Sequence, residues 1–451
     1  MRFGGFAELL EYWAEHSPER TALRYDGEEC SYGELLRRVR DRAEELKRSG
    51  KSCLGLLSDG SLACVVELFA ANLAGLQLVL LDGGAPEAVL RGRIAYTDID
   101  LLWGEEALCG RLQGNLTCGV TEKGAGQILF FTSGTTERAK AVVLTDHSLC
   151  QSAYNGSEKL PLERDDCLLC ILPLGHVFGF VCGLLWGLSC GATVALGRGA
   201  ERCADDPGFY RPTAVAVVPQ LLSLLLERNC LNEELRLILV GAGDCPARLF
   251  REVQARSIRL SFGYGLTETS SGVAISVEGD PCAMEVCPDN TITIADDGEI
   301  LIAAPTCMMQ GYYKWPQYTE EILRHGILST GDLGCFDEAG KLHVTGRKKD
   351  ILVMGDGTRI FLPEYEAALV ECLGNPELAV ALRNDRLVLV YVDREGGTDI
   401  GTLWQKLRPM MLPLPRGQQL TDVLITGDPL PRTASGKIRR WELQQKVEAT
   451  A

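Results

Sequence analysis

Residues 127–144 read ILFFTSGTTERAKAVVLT: an apolar strand pattern, then a short hydroxyl-rich turn containing one glycine. Exposed backbone N–H groups at such a turn form a cradle for anions. The hydroxyls of Ser133, Thr135 and Thr136 add donors that suit phosphate oxygens. Taken alone, TSGTT is equally a polar turn that ends a strand. It is not a Walker A loop, because the GxxxxGK[ST] order is missing. A second chemical spacing is the CxxC of Cys167 and Cys170, which zinc and redox sites use, but no second pair or matching histidine completes a site there.

The phosphate-type turn is followed in order by LPLGHVFG (172–179), GYGLTETS (263–270), STGDLG (329–334), GRKKDILVMGDGTRIFLPEYE (346–366) and PRTASGK (431–437). Six ordered motifs over nearly the whole chain do not arise by chance. Together they resemble the AMP-forming adenylating superfamily of acyl-CoA synthetases, luciferases and peptide-synthetase adenylation domains. The spacing of the fifth motif is closest in style to fatty acyl-CoA synthetases.

The resemblance implies an ATP-dependent ligase that activates a carboxylic acid as acyl-AMP and passes it to a thiol. Attack of a carboxylate on the α-phosphorus builds negative charge, so cations and placed donors dominate such a site. Carried over residue by residue, Thr132, Ser133, Gly134, Thr135, Thr136 and Lys140 belong to the phosphate loop, Thr267 to the α-phosphate and Glu268 to Mg²⁺. Gly241, Ala242, Gly243, Tyr264 and Gly265 surround adenine. Asp332 accepts from the ribose hydroxyls, and Arg347 reaches the same sugar. Lys437 neutralises the pentavalent phosphate and orients the carboxylate. His176, Phe178 and Gly179 line the acyl pocket, and Lys349 is the hinge about which a small domain turns for thiol transfer. Outside the motifs these would be ordinary residues: a surface TE pair, a turn aspartate, a loop lysine, a core histidine.

In amino-acid-activating relatives an aspartate in the acyl-pocket region pairs with the α-ammonium. Gly179 stands there, and a buried ammonium without a carboxylate is costly, so the expected acid has no α-amino group. A fatty acid or a related carboxylic acid is expected. The acceptor is coenzyme A, or the phosphopantetheine of an acyl carrier protein. Residues 348–451 carry 14 basic and 14 acidic side chains, with only a modest basic cluster at Arg432, Lys437, Arg439 and Arg440, which disfavours an acidic carrier. The loop departs from the family at Glu137, Ala139 and Ala141, where Gly, Pro and Gly are usual. That departure motivates a competing reading, a non-catalytic nucleotide-binding protein.

Positioning these groups requires a large scaffold, and 451 residues suffice for two or three folding units. CLGLL (53–57), an apolar helical stretch after Ser61 and QLVLL (77–81) give a βαβ rhythm, and Ser31 with Glu34 forms a capping box for a helix ending near Gly50. Further strands are expected at ILFF, AVAVV and LRLILV. Short strands and turns over 290–345 predict a small β-rich unit, and LVLVYV (387–392) a strand in a closing α+β segment. The expected fold is α/β: an N-terminal adenylate-forming domain over 1–347 and a smaller mobile domain over 348–451.

The net charge of −16 argues against nucleic acid as a partner. The apolar run from Cys167 to Leu196 is long enough for a membrane span. Pro173, His176 and six glycines from Gly175 to Gly197 make it core instead. Eighteen cysteines without a leader pattern after Met1 suit a reducing cytoplasm.

Overall fold

The computed structural model describes residues 1–116, 126–132, 140–243, 246–354, 358–432 and 438–449. Helices begin where a side-chain oxygen satisfies an orphan amide. Ser31 accepts from the Glu34 N–H at 3.2 Å and opens Tyr32–Arg48, and Ser61 accepts from Cys64 at 3.1 Å and opens Leu62–Leu73. The capping box expected at Ser31 is only half formed. Glu34 turns its carboxylate to Arg38, 2.6 Å away, rather than back to the Ser31 amide. Thr145 and Ser148 do cap reciprocally at the start of Asp146–Lys159.

Two large sheets carry the expected strands. In the six-stranded sheet, Leu101–Trp103, Cys53–Ser58, Gln77–Asp82 and Gln127–Phe131 run parallel, and Ala141–Thr145 and Gly311–Tyr312 close it antiparallel. The nine-stranded sheet has a parallel centre of Arg259–Leu266, Leu237–Val240, Ala214–Val217, Cys167–Cys170, Thr193–Leu196 and Thr21–Tyr25. Its central strands Cys167–Cys170, Thr193–Leu196, Ala214–Val217 and Leu237–Val240 are buried along their whole length, as strands covered on both faces must be.

The Cys167–Leu196 run contains two of these strands and an internal helical segment, Gly179–Leu185 continuing into Trp186–Cys190. Among the described residues no helix is long and apolar enough to cross a membrane. Cys167 and Cys170 stand three apart on one strand, which sends their side chains to opposite faces: Cys167 packs with Val215 and Ile238, Cys170 with Leu174 and Phe180. Two thiols so placed do not share one metal ion. All sixteen described cysteines are free.

The small β-rich sheet is present. Thr291–Ile294 and Glu299–Ala303 form a hairpin through Gly298, whose φ of 88° suits glycine, and Ile327–Phe336 and Leu323–Arg324 extend it. The chain divides into two compact units. The larger comprises 1–132, 140–330 and 334–344; the smaller comprises 133–139, 331–333 and 345–451. In the smaller, Leu378–Arg383, Arg386–Val392 and Leu420–Thr426 form a three-stranded sheet packed by Leu362–Leu373 and Ile400–Met411 around Leu369, Leu389 and Leu407.

Candidate active site

Ligands of open α/β sheets bind beyond the carboxyl ends of the parallel strands. In the larger unit those ends gather the motif residues. Gln127–Phe131 leads to Thr132, and Lys140 starts the return strand; the Thr132 N–H donates to the Lys140 carbonyl at 2.9 Å, closing the foot of the phosphate loop. Ser133, Gly134, Thr135, Thr136 and Glu137 lie outside the described residues. Lys140 sets its Nζ 3.5 Å from the Tyr318 ring centre and 5.2 Å from that of Tyr312.

Leu237–Val240 delivers Gly241, Ala242 and Gly243. A Cβ on Gly241 would lie 2.9 Å from the Phe178 ring, so glycine is required there to admit the aromatic side chain. Ala242 holds a φ of 61°, an unusual left-handed turn for alanine. Arg259–Leu266 carries Tyr264 and Gly265 into the short turn Thr267–Thr269. At Gly265 a Cβ would overlap the Ser271 carbonyl oxygen at 1.8 Å, and Ser270 and Ser271 take φ values of 54° and 105°. That turn is held by the Ser270 hydroxyl, which donates to the Cys307 carbonyl at 2.7 Å, and by the Thr269 hydroxyl, which donates to Ser271. Tyr264 is only 9% exposed and packs largely into the core, so less of its ring faces outward than the adenine role suggested.

Glu268 is half-buried. One carboxylate oxygen accepts from the Tyr312 hydroxyl at 2.5 Å, and its carbonyl accepts from the Met309 N–H at 2.8 Å. Its second oxygen belongs to a carboxylate beside the loop foot. Mg²⁺ takes one or two carboxylates, with phosphates and water completing its shell, so this donor set fits it. Thr267 begins the same turn.

The strand ends of both sheets meet at His176. Its Nε2 is 4.0 Å from Asp82, the last residue of Gln77–Asp82, and Gly175 lies tight against the backbone of Leu81 and Asp82. Burial lowers the imidazole pKa, Asp82 opposes this, and Arg93 adds to the lowering; the net shift is downward, which keeps the ring neutral at pH 7. Gly179 has no room for a side chain, since a Cβ would sit 2.5 Å from the Pro173 carbonyl oxygen.

Behind Phe178 lies a small cavity of about 20 Å³, room for about one water, lined by Gly156, Leu160, Val181, Cys182, Trp186, Leu239, Gly272 and Ile275, with Ser152 and Ala153. No charged side chain lines it. Burial pushes the Cys182 thiol up to about 11, against a lowering by Ser271, so it stays neutral, and the Trp186 indole N–H is spent on the Leu160 carbonyl at 3.0 Å.

In the smaller unit, Asp332 is 4% exposed and takes the Arg347 Nε at 3.0 Å. Lys349 lies in the short turn Lys348–Asp350 that follows, and a Cβ on Gly346 would strike the Phe361 ring at 2.2 Å. Lys437 lies outside the described residues.

A family model described as AMP-binding enzyme matches residues 121–313. An indoleacetate–CoA ligase from Aromatoleum aromaticum is 31% identical, with 98% of each chain covered. The chain belongs to the AMP-binding enzyme family. A feruloyl-CoA synthase from an Amycolatopsis species is 28% identical over 99% of this chain and all of its own. Among solved structures, o-succinylbenzoate coenzyme A synthetase from Bacillus subtilis, in complex with ATP and magnesium ion, superposes with a TM-score of 0.82 at 24% identity, covering 96% of this chain and 98% of its own. This AMP-binding enzyme is an AMP-forming acid–CoA ligase.

Motif reading pointed to neither Asp82, Tyr312 nor the cavity wall. LLDGG and QGYYK carry no spacing of their own, and the wall residues come from four separate elements.

Proposed function

We propose that the acid is aromatic or similarly compact, that it lacks an α-amino group, and that its acyl body lies against the apolar wall behind Phe178. The observation that carries this is the cavity's wall, which is apolar and carries no charged side chain; its enclosed space of about 20 Å³ must widen to admit an acyl group. The named acids of the relatives, indoleacetate and the feruloyl group, support it. The absence of space for a carboxylate at Gly179 supports the missing α-amino group. A fatty acid, expected from the spacing of DILVMGDGTRIFLPEYE, is the second reading.

The reaction runs in two displacements. The substrate carboxylate attacks the α-phosphorus of ATP and pyrophosphate leaves. The thiol of coenzyme A then attacks the acyl carbonyl, and AMP leaves as the carboxyl–phosphate bond breaks. In the first, Thr267 and the loop hydroxyls bind phosphate oxygens, Glu268 holds the cation, Asp332 and Arg347 bind the ribose, and Lys437 meets the charge that builds at the α-phosphate. His176, neutral beside Asp82, adds no charge near the substrate carboxylate. Residues 348–451 act as the mobile domain, with Lys349 as its hinge. Replacing Lys349 with proline should therefore leave acyl-AMP formation within about threefold and depress thioester formation by at least tenfold. Single-turnover assays of the two half-reactions measure this, and equal loss in both contradicts the hinge.

The deciding experiment is a panel of acids assayed for acid-dependent pyrophosphate release, with and without coenzyme A. Indoleacetate and hydroxycinnamates are expected to drive release, with acyl-CoA formed when coenzyme A is present; aromatic α-amino acids are expected to be inert. Release driven only by fatty acids overturns the aromatic reading. Acyl transfer to a phosphopantetheinylated carrier in preference to coenzyme A would make the carrier the partner.

A further inference from the structure

Tyr312 joins two parts of the larger unit that the motifs treat separately. Its backbone is zipped to the strand leaving the phosphate loop: Tyr312 pairs with Val142 and Gly311 with Val143, while the Tyr313 N–H donates to the Ala141 carbonyl at 2.8 Å. The Tyr312 N–H also donates to the Thr319 hydroxyl at 2.9 Å, and Thr319 packs so closely on Gly311 that a Cβ there would lie 3.0 Å from it. The backbone is thus held from both sides. The ring packs against Tyr318, 5.2 Å between centres, under the Lys140 ammonium. The hydroxyl donates to Glu268, 44 residues earlier in the chain, in the turn Thr267–Thr269 that follows Arg259–Leu266.

We propose that Tyr312 is the positioning residue of the metal carboxylate, its hydroxyl fixing one oxygen of Glu268 so that the other serves the divalent cation that accompanies ATP. The inference rests on Glu268 being a metal ligand. A carboxylate free to rotate spreads its lone pairs over many directions, whereas one oxygen bound by a rigid phenol confines the other to a narrow set. Because the same tyrosine is laced to the loop-exit strand, the carboxylate is held in register with the phosphates the loop binds.

The test uses the whole chain. Mn²⁺ binding is followed by electron paramagnetic resonance with ATP present and acid omitted, so that no turnover occurs, and the Mg²⁺ dependence of acid-driven pyrophosphate release is measured beside it. Tyr312→Phe is expected to raise the Mn²⁺ dissociation constant and the Mg²⁺ half-saturation together, by roughly tenfold or more, the usual cost of losing a ligand's outer partner. Its kcat at saturating Mg²⁺ should stay within twofold. Installing 3-fluorotyrosine at position 312, which keeps ring and hydroxyl, should restore Mn²⁺ affinity to within threefold of the native protein. Glu268→Gln should lose Mn²⁺ binding, and adding Tyr312→Phe to it should weaken Mn²⁺ no further. If Glu268→Gln binds Mn²⁺ as the native protein does, the metal assignment fails. If it loses Mn²⁺ but Tyr312→Phe changes only the melting temperature, the tyrosine is a structural tether and the positioning role is overturned.

Discussion

Lys437→Ala is expected to lower acid-dependent pyrophosphate release by roughly 10²–10³-fold, the scale of removing one aligned charge-stabilising donor from a transition state. The α-phosphorus gains negative charge as the carboxylate attacks, and no other lysine of the motif set lies in the small domain's PRTASGK segment. The same variant should convert supplied acyl-AMP to acyl-CoA at close to the native rate, because the thioester step makes and breaks bonds at the acyl carbon and forms no pentavalent phosphorus for Lys437 to stabilise. Single-turnover measurements of the two half-reactions separate these effects. Comparable loss in both would remove Lys437 from a specific role in adenylation. Lys437→Arg, which keeps the charge but changes its reach and shape, should recover only part of the rate.

Asp332→Ala is expected to reduce kcat/KM for ATP by about 10²–10⁴-fold, mostly through KM. Two hydrogen bonds from the ribose hydroxyls to a carboxylate contribute about 1.5–3 kcal/mol each, and every 1.4 kcal/mol is tenfold. Arg347 also loses its partner, but it is 41% exposed, so water takes over much of that role and the fold should tolerate the change. Asp332→Asn retains one acceptor and should fall between native protein and alanine variant. Steady-state kinetics with ATP varied, beside thermal melts, provide the check. A kcat/KM within threefold of native in the alanine variant would discard the ribose assignment.

Much of the architecture was legible because it is written in short-range terms. Ser31 and Ser61 cap the amides three residues on, QLVLL and AVAVV are strands too apolar to lie anywhere but between layers, and Gly298 turns the hairpin its DDG signalled. The half-made capping box at Ser31 shows the limit of such reasoning. Whether Glu34 reaches back depends on Arg38, which competes for its carboxylate from the next helical turn.

The sequence by itself determined the family and the reaction class, and it nominated the groups proposed to handle nucleotide, because phosphate and ribose chemistry demands particular residue types in a fixed order along the chain. Only the tertiary structure decided which side chains meet those groups. Tyr312 meets Glu268, Asp82 meets His176, and Gly156, Cys182, Leu239 and Gly272 enclose one cavity. Those contacts join elements far apart in the chain, and the packing of those elements within the larger unit, not any local spacing, brings them within reach.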